Sequence, residues 1–259
     1  MHSSPLSRRV LGAAVSLPLV VLSVACGGEG TDGADDPVTV VVTETAGTPT
    51  DTPASTTPLT EEQLNEAVLA HENLSPGWRE VSSESEIGFG SVGCLAGMAQ
   101  VPDDLFAAMA RAEYDFEEDS LTTLLSAAGS VADEADATSF VDAAQATAAG
   151  CTSVNGTDDD GDQWEGTLTA DETITNDAID DQLLVEFDGT ITTPDGTDLD
   201  IETRYLLART GPHIAIVLSV NFPTYNYFDD AAYLQIAVDR FAAVATGAEP
   251  PVTVGPETN

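Results

Sequence analysis

Apolar and polar residues divide the chain into three stretches of different character. Residues 11–22 form an apolar run, which is shorter than the roughly 20 residues that a membrane-spanning helix needs. Residues 27–58 are rich in Gly, Thr, Asp and Pro, a composition that cannot bury a core and predicts a disordered stalk. Patterned sequence begins near Leu59, so we predict one folded domain over 59–246 and a frayed tail over 247–259.

Several segments of this domain have apolar residues at the spacing of an amphipathic helix. The clearest is the segment that runs up to Cys151, where Phe140, Val141, Ala144 and Ala148 form an apolar stripe. Thr and Asp residues that cap helices precede most of these segments. The predicted helices begin at Thr60, at Pro102 with an end at Met109, at Asp136, and at Asp229 or Asp230.

Other segments have the composition of strands and are separated by turn residues such as those at 193–196 and 210–212. We predict strands over 112–116, 121–131, 163–169, 183–192, 200–209 and 214–221, and a polar loop over 155–162. Strands joined by such short turns pair in an antiparallel meander. The order of the elements therefore predicts an α+β fold, an antiparallel sheet with flanking helices in a single domain behind the stalk.

The start of the chain has the features of a bacterial export signal. Arg8 and Arg9 precede the apolar run, and small residues lead into Cys26 and a glycine. This pattern resembles a lipobox, in which the cysteine thiol receives a diacylglycerol. We predict a signal peptide over 1–25, then a lipid anchor at Cys26 and the Thr/Pro stalk, which together span 26–58. The alternatives are an ordinary cleaved signal, and export by either the twin-arginine or the general secretion route.

The composition is strongly acidic. The chain has 45 Asp and Glu against 7 basic residues, a net charge of −38. Such a surface repels nucleic acid and anionic lipid headgroups, so neither is an expected partner. Because the acids are spread along the whole chain, we favour an adaptation to salt over a specific role in holding cations.

Three cysteines are present, and lipidation of Cys26 would leave Cys94 and Cys151 as a pair. Disulfides persist outside the cytosol, so we predict a bond between these two residues. In the chain-entropy model, closing this loop raises the free energy of unfolding by roughly 4 kcal/mol.

The residues that catalysis would need are sparse. In the folded part the only histidines are His71 and His213, and no G-x-S-x-G elbow places a serine beside either one. No His or Cys pair has the spacing of a zinc site. Because the chain has 45 Asp and Glu, the presence of two carboxylates does not indicate the site of a hydrolase. We therefore predict that the chain is not an enzyme and has no catalytic residues, no metal and no cofactor.

Two loop motifs resemble binding sites but lack the required context. Residues 88–93 fit G-x-G-x-x-G, but the segment before them is polar rather than a buried strand, which a dinucleotide site needs. Residues 155–162 are rich in Asp, but no register places acids, glycine and the final glutamate as an EF-hand requires. A flexible turn and a solvated acidic loop are the simpler interpretations.

Aromatic residues are concentrated in one connection between a predicted strand and the last helix. Core packing is the simpler role for each ring taken alone. Rings with polar edges on a loop above a sheet would also suit a glycan or lipid ligand. The predicted ligand-binding residues are Phe222, Tyr225, Tyr227 and Phe228.

The order of these features resembles a known family. A lipobox and stalk are followed by a helix, the Pro76-Gly77-Trp78 step, Cys94, a helix that ends at Cys151, a β-meander and a closing helix. This is similar to the extracytoplasmic lipoproteins of actinobacteria, in particular the sensor-domain group related to the outer domain of the mycobacterial serine/threonine kinase PknH. The resemblance implies a sheet and helices around a cleft for an unidentified ligand, without catalytic residues.

We therefore expect a non-catalytic ligand-binding or sensing lipoprotein, anchored at the extracytoplasmic face of the cell membrane. Its partner would be a cell-envelope ligand: a glycan, a lipid or a small molecule. A lipid or glycolipid carrier is the first alternative, because the small residues Ala127, Ala128 and Gly129 would permit a cavity. An envelope hydrolase is the second alternative, and it would need a nucleophile within reach of His213.

Overall fold

Eight strands pair in one antiparallel sheet with the order β1-β2-β3-β8-β7-β6-β5-β4. Short turns at Gly196 and Gly211, both with positive φ, join β6 to β7 and β7 to β8, as the sequence predicts. The strands are β1 Trp78–Glu80, β2 Phe106–Phe116, β3 Thr123–Val131, β4 Ser153–Thr157, β5 Gln163–Asp171, β6 Asp181–Thr192, β7 Asp198–Thr210 and β8 His213–Asn221.

This computed structural model describes residues 57–81, 92–99, 101–102, 105–116, 122–171, 174–223 and 228–256. The predicted signal peptide, Cys26 and nearly all of the predicted stalk lie outside the described residues. So do residues 88–91 of the glycine motif, and Tyr225 and Tyr227. Within the described ranges no helix is long and apolar enough to cross a membrane.

Four α-helices and a single 3₁₀ turn, His71–Asn73, accompany the sheet in the described part of the chain. Helix α1 begins with a capping box, in which the Thr60 hydroxyl accepts from the Gln63 amide and the Gln63 side chain accepts from the Thr60 amide. Asp229 caps the last helix. The helices are α1 Glu61–Ala67, α2 Ala96–Ala99, α3 Glu134–Gly150 and α4 Asp230–Ala245.

Each face of the sheet is packed against helices, so the described residues form two hydrophobic cores. On one face, α1 and α4 contribute Leu64, Leu234 and Phe241, which are buried in one core with sheet residues. On the other face, α3 contributes Val141 and Ala144 to the second core. We call these the α4 face and the α3 face. This arrangement confirms the predicted α+β class, with an antiparallel sheet and flanking helices.

The disulfide forms as predicted and belongs to the α3 face. Cys94 and Cys151 are bonded with their Cα atoms 5.7 Å apart, and Cys151 follows directly after the last residue of α3. It therefore ties the end of this helix to the segment around α2.

Three predicted elements differ from the structure. The predicted helix Pro102–Met109 is wrong: Phe106 already begins β2, because these residues pair with β3 and tertiary pairing outweighs the helix propensity of alanine and methionine. The cap of α3 is Asp133, whose carboxylate accepts from the Asp136 amide, so the helix begins earlier than predicted. Residues 155–157 belong to β4 rather than to a loop, because they pair with β5.

The C-terminal tail is docked up to residue 256 rather than frayed. The Asn73 carbonyl accepts from the Gly255 amide, and the Asn73 side chain donates to the Thr253 carbonyl. The Tyr233 hydroxyl donates to the Pro256 carbonyl at 2.8 Å. A Cβ at Gly255 would lie only 2.1 Å from the Tyr233 ring, so only glycine fits against this side chain.

Candidate functional site at one end of the sheet

Strand pairing brings a row of side chains together on the α4 face, just beyond the N-terminus of α4. Trp78 lies opposite Phe116, Asn221 lies opposite Glu202, and Glu202 lies opposite Asp188. Thr122 connects Phe116 with Asn221 in this row. The Phe116 amide donates to the Thr122 carbonyl at 3.0 Å, and the next residue, Thr123, pairs with Val220 of β8. We call the five residues Trp78, Phe116, Asn221, Glu202 and Asp188 the end row.

The side chain of Ser219 fixes the face on which the polar part of this row lies. Alternate residues of a strand share one face, so Ser219 and Asn221 lie on the same side of the sheet. The Ser219 hydroxyl donates to the Asp230 carboxylate at 2.8 Å, and Asp230 is the first residue of α4. Asn221 therefore lies on the α4 face, as does Glu202, its neighbour in the pairing.

The row next to the end row holds the nearest cation. Arg204 forms ion pairs with Glu186, at 3.2 Å, and with the mostly buried Asp230. Two carboxylates therefore already occupy its guanidinium. Among the described residues, no basic side chain lies within ion-pair distance of Glu202 or Asp188.

Glu202 is electrostatically the most unusual residue of the row. Partial burial raises the pKa of its carboxyl, and the negative charges of Asp188, Asp230 and Glu186 raise it further. Arg204 acts in the opposite direction without reversing the effect. An added cation or proton at this position would therefore be stabilised.

Two buried polar atoms of the row have no hydrogen-bond partner in the described structure. They are Oδ1 of Asn221, a residue that is 1% exposed, and Nε1 of Trp78, a residue that is 3% exposed. Buried polar groups in native proteins are nearly always hydrogen-bonded, so both atoms require an explanation. An acceptor oxygen beside an acidic side chain without its own cation suits a ligand that donates hydrogen bonds.

The described aromatic residues of the predicted binding loop lie in the two cores instead of on one shared surface. Phe222 is buried on the α3 face, and Phe228 is buried on the α4 face against Trp78 and Tyr233. The two described rings therefore lie on opposite sides of the sheet and do not form one platform. Tyr225 and Tyr227 lie outside the described residues. Ligand binding by this loop stays a prediction.

His213 has a hydroxyl within reach, but the pair is enclosed. Its Nδ1 lies 2.9 Å from the Ser130 hydroxyl, and both residues are fully buried. The same hydroxyl accepts from the Leu59 amide at 3.0 Å. The Ser130 hydroxyl therefore already has two protein partners, and we assign this pair to the packing of the first residues of the domain. His71 contacts the Trp78 carbonyl at 3.2 Å.

The acidic loop after β4 is organised around one side chain. The Asp158 carboxylate accepts from the amides of Asp160 and Asp162 and from the Trp164 indole N–H. Asp158 therefore shapes a turn and anchors a tryptophan. In the described part of the chain, no group of three or more His, Cys, Asp or Glu side chains has an arrangement that could hold a metal ion.

An open groove of ≈750 Å³ runs along α1, but its one basic residue already has a structural role. The Arg240 guanidinium donates to the carbonyls of Val68 and Glu66, both at 2.9 Å. These bonds hold the end of α1 against α4. The groove is lined by Thr60, Glu61, Glu62, Asn65, Glu66 and Arg240.

Sequence reasoning did not predict the end row: the predicted ligand-binding residues are in the loop from Phe222 to Phe228, and neither Asn221 nor Glu202 is among them. Their juxtaposition depends on the register between β7 and β8, which no local motif encodes. The available signal was a polar Asn221 directly before Phe222 at the end of an otherwise apolar strand.

Comparison with known proteins supports the fold. The crystal structure of the extracellular domain of PknH from Mycobacterium tuberculosis is similar, with a TM-score of 0.54 and 15% sequence identity. The match covers 73% of this chain and 98% of that domain. No protein-family model matches the chain, and no curated protein sequence is similar to it. The likeness therefore shows a shared fold.

Proposed function

We propose that this chain is an exported lipoprotein whose folded domain binds or senses a ligand at the cell envelope without catalysis. The observation that carries the proposal is the fold, which is similar to the extracellular domain of PknH over almost the whole of that domain. The similar structure is that of an extracellular domain. By analogy, we assign this domain to the outside of the cell.

Anchoring through Cys26 rests on the sequence. An apolar run, small residues and a cysteine in this order resemble a lipobox. The disulfide between Cys94 and Cys151 is consistent with an oxidising compartment. Because two acyl chains give a stable anchor, the domain would stay at the outer face of the membrane.

The end row is the part of the domain that suits a ligand best. It combines an aromatic side chain, an acid without its own cation and two buried polar atoms that lack partners. We infer a ligand of the cell envelope, a glycan, a lipid or a small molecule, that supplies complementary hydrogen bonds. A net charge of −38 disfavours nucleic acid.

The carrier alternative gains no support from the small residues of β3. The Phe106 ring fills the space in front of Gly129, where a Cβ would lie 2.4 Å from a ring carbon. Ala127 and Ala128 are buried within the cores. In this region, side chains occupy the volume that a lipid would need.

Mass spectrometry of the protein from an actinobacterial host tests the proposal. The full precursor is expressed, extracted from membranes and measured under native and denaturing conditions, with Cys26→Ser as the matched control. We expect an acyl increment on the wild type that is absent from the variant, and a second increment that disappears on denaturation. A wild-type chain without an acyl increment would overturn the anchor. Reproducible absence of any released mass, in the presence of envelope extract, would overturn the binding function.

A further inference from the structure

We propose that the end row binds a primary ammonium group, seated between the Glu202 carboxylate and the Asn221 amide oxygen. The inference deepens the proposed function and rests on it, because it names the class of ligand that the domain takes. It is independent of the lipid anchor.

Strand geometry places the two acceptors at a suitable separation. Asn221 and Glu202 are directly opposite each other on β8 and β7. Directly opposite residues of antiparallel strands have Cβ atoms about 5 Å apart, so one small group can contact both side chains. Asp188, opposite Glu202 on β6, is exposed and forms the open side from which a ligand can approach.

The charges around the row favour a cation. Arg204 is engaged by Glu186 and Asp230, and among the described residues neither Glu202 nor Asp188 forms an ion pair. The buried Asn221 Oδ1 adds an acceptor that has no donor. An ammonium group carries three N–H donors and one positive charge, so it can satisfy the amide oxygen and neutralise the carboxylates at the same time.

A metal ion fits less well. Calcium takes six or more oxygen ligands, and the described residues contain no cluster of three or more acids or histidines arranged for a metal. An organic ammonium needs fewer ligands, so the Glu202 carboxylate and the Asn221 amide oxygen can satisfy it.

Isothermal titration of the full chain, purified in detergent, with ethanolamine tests this inference. The titration is carried out in high salt, because salt screens the diffuse surface charge and so suppresses weak adsorption of the ligand to scattered acids. Tetramethylammonium is the matched probe, because it has the same charge and no N–H donor. We expect saturable binding of ethanolamine, and binding of tetramethylammonium that is at least about 10-fold weaker, because a hydrogen bond to a charged group is lost.

The key variant is Asn221→Leu, which removes the acceptor and keeps the volume. The Oδ1 of this buried side chain has no partner, and an apolar side chain of similar volume removes that unpaired oxygen, so the variant should fold. We expect it to weaken ethanolamine binding at least about 10-fold. Glu202→Gln should weaken binding as well, because it removes the charge. The matched control is Thr203→Val, which removes another buried oxygen without a partner, from the α3 face, and should leave binding unchanged.

Three results would overturn the inference. These are no saturable binding of ethanolamine, equal binding of ethanolamine and tetramethylammonium, and unchanged binding in a folded Asn221→Leu protein. The proposed function fails separately, when envelope extract leaves no releasable mass on the wild-type chain. A releasable mass that persists in Asn221→Leu would keep the function and discard the ammonium site.

Discussion

The two helical layers cover one sheet by different means. Helix α3 has 17 residues, of which four are buried: Ala137, Val141, Ala144 and Ala148. Helix α4 has 16 residues, of which eleven are buried, and these include Tyr233, Leu234 and Phe241. The α3 layer is tied by the disulfide at Cys151, whereas the α4 layer is crossed by the C-terminal segment 247–256.

We infer from this difference that covalent linkage stabilises the layer in which the helix buries less apolar surface. A helix with small buried side chains removes little apolar surface from water, so packing alone holds it weakly. A disulfide limits the unfolded chain without any increase in burial. We therefore expect the α3 layer to depend on the bond and the α4 layer to depend on large side chains.

Removal of the disulfide should have the largest effect. The double variant Cys94→Ala/Cys151→Ala opens a loop with a sequence separation of 57 residues. We expect the free energy of unfolding to fall by about 4 kcal/mol in the chain-entropy model. Urea unfolding measures the total, and hydrogen exchange shows its location: amides of α3 should lose protection before those of α4. Equal loss in both helices would mean that the layers unfold as one unit.

Truncation of one core residue in each layer should have a smaller effect that differs between the layers. Leu234→Ala in α4 should cost about 3 kcal/mol, because a fully buried leucine leaves a cavity. Val141→Ala in α3 removes two methyl groups and should cost about 2 kcal/mol. Urea midpoints at constant m-value give both numbers. A cost for Val141→Ala that equals or exceeds the cost for Leu234→Ala would contradict the proposed division.

The same contrast explains which elements could be predicted from the sequence. Helix α1 has a Thr60 cap and helix α4 an Asp229 cap, each followed by apolar residues at helical spacing, so local pattern and tertiary burial agree. Strands β6, β7 and β8 are separated by the predicted turn residues at 193–196 and 210–212. The start of β2 was mispredicted, because Ala107, Ala108 and Met109 favour a helix locally and become a strand only when β3 pairs with them.

The docked tail and the candidate site could not be predicted for a related reason. The tail is held by Asn73 and Tyr233, which are distant in sequence and give no local signal. The end row combines residues from β1, β2, β6, β7 and β8, and its composition depends on strand register. A shift of register by one residue would move Glu202 to the α3 face.

Loss of the Tyr233 hydroxyl should affect the α4 layer more mildly. This hydroxyl lies 2.9 Å from the Ser75 hydroxyl and donates to Pro256. We expect Tyr233→Phe to cost about 1 kcal/mol and to speed exchange of the Gly255 amide, since the tail loses one of its bonds. Tyr114→Phe removes a hydroxyl that donates to the Leu69 carbonyl in the same core, and should leave Gly255 unaffected. Equal exchange of Gly255 in both variants would show that the tail does not depend on Tyr233.

The smallest effect on the free energy of unfolding is expected at Glu202, where a substitution should stabilise the fold instead of destabilising it. Burial and the charges of Asp188, Asp230 and Glu186 raise its pKa in the folded chain, with Arg204 as the only opposing charge. A raised carboxyl pKa means that the folded state holds its proton more tightly than the unfolded state. The corresponding stability is present below the unfolded pKa of about 4.3 and is lost as the pH rises through the folded pKa.

At neutral pH the ionised Glu202 therefore destabilises the fold, and Glu202→Gln should stabilise it. The gain should be about 0.5 kcal/mol, the scale of a partly exposed charge interaction, and it should vanish at acid pH where the wild type is protonated. Asp200→Asn, at an exposed position on the same strand, is the matched control and should change stability less. Urea midpoints over a pH series measure the difference. A constant gain at every pH would trace the effect to packing instead of charge and would remove the electrostatic basis for a cation at the end row.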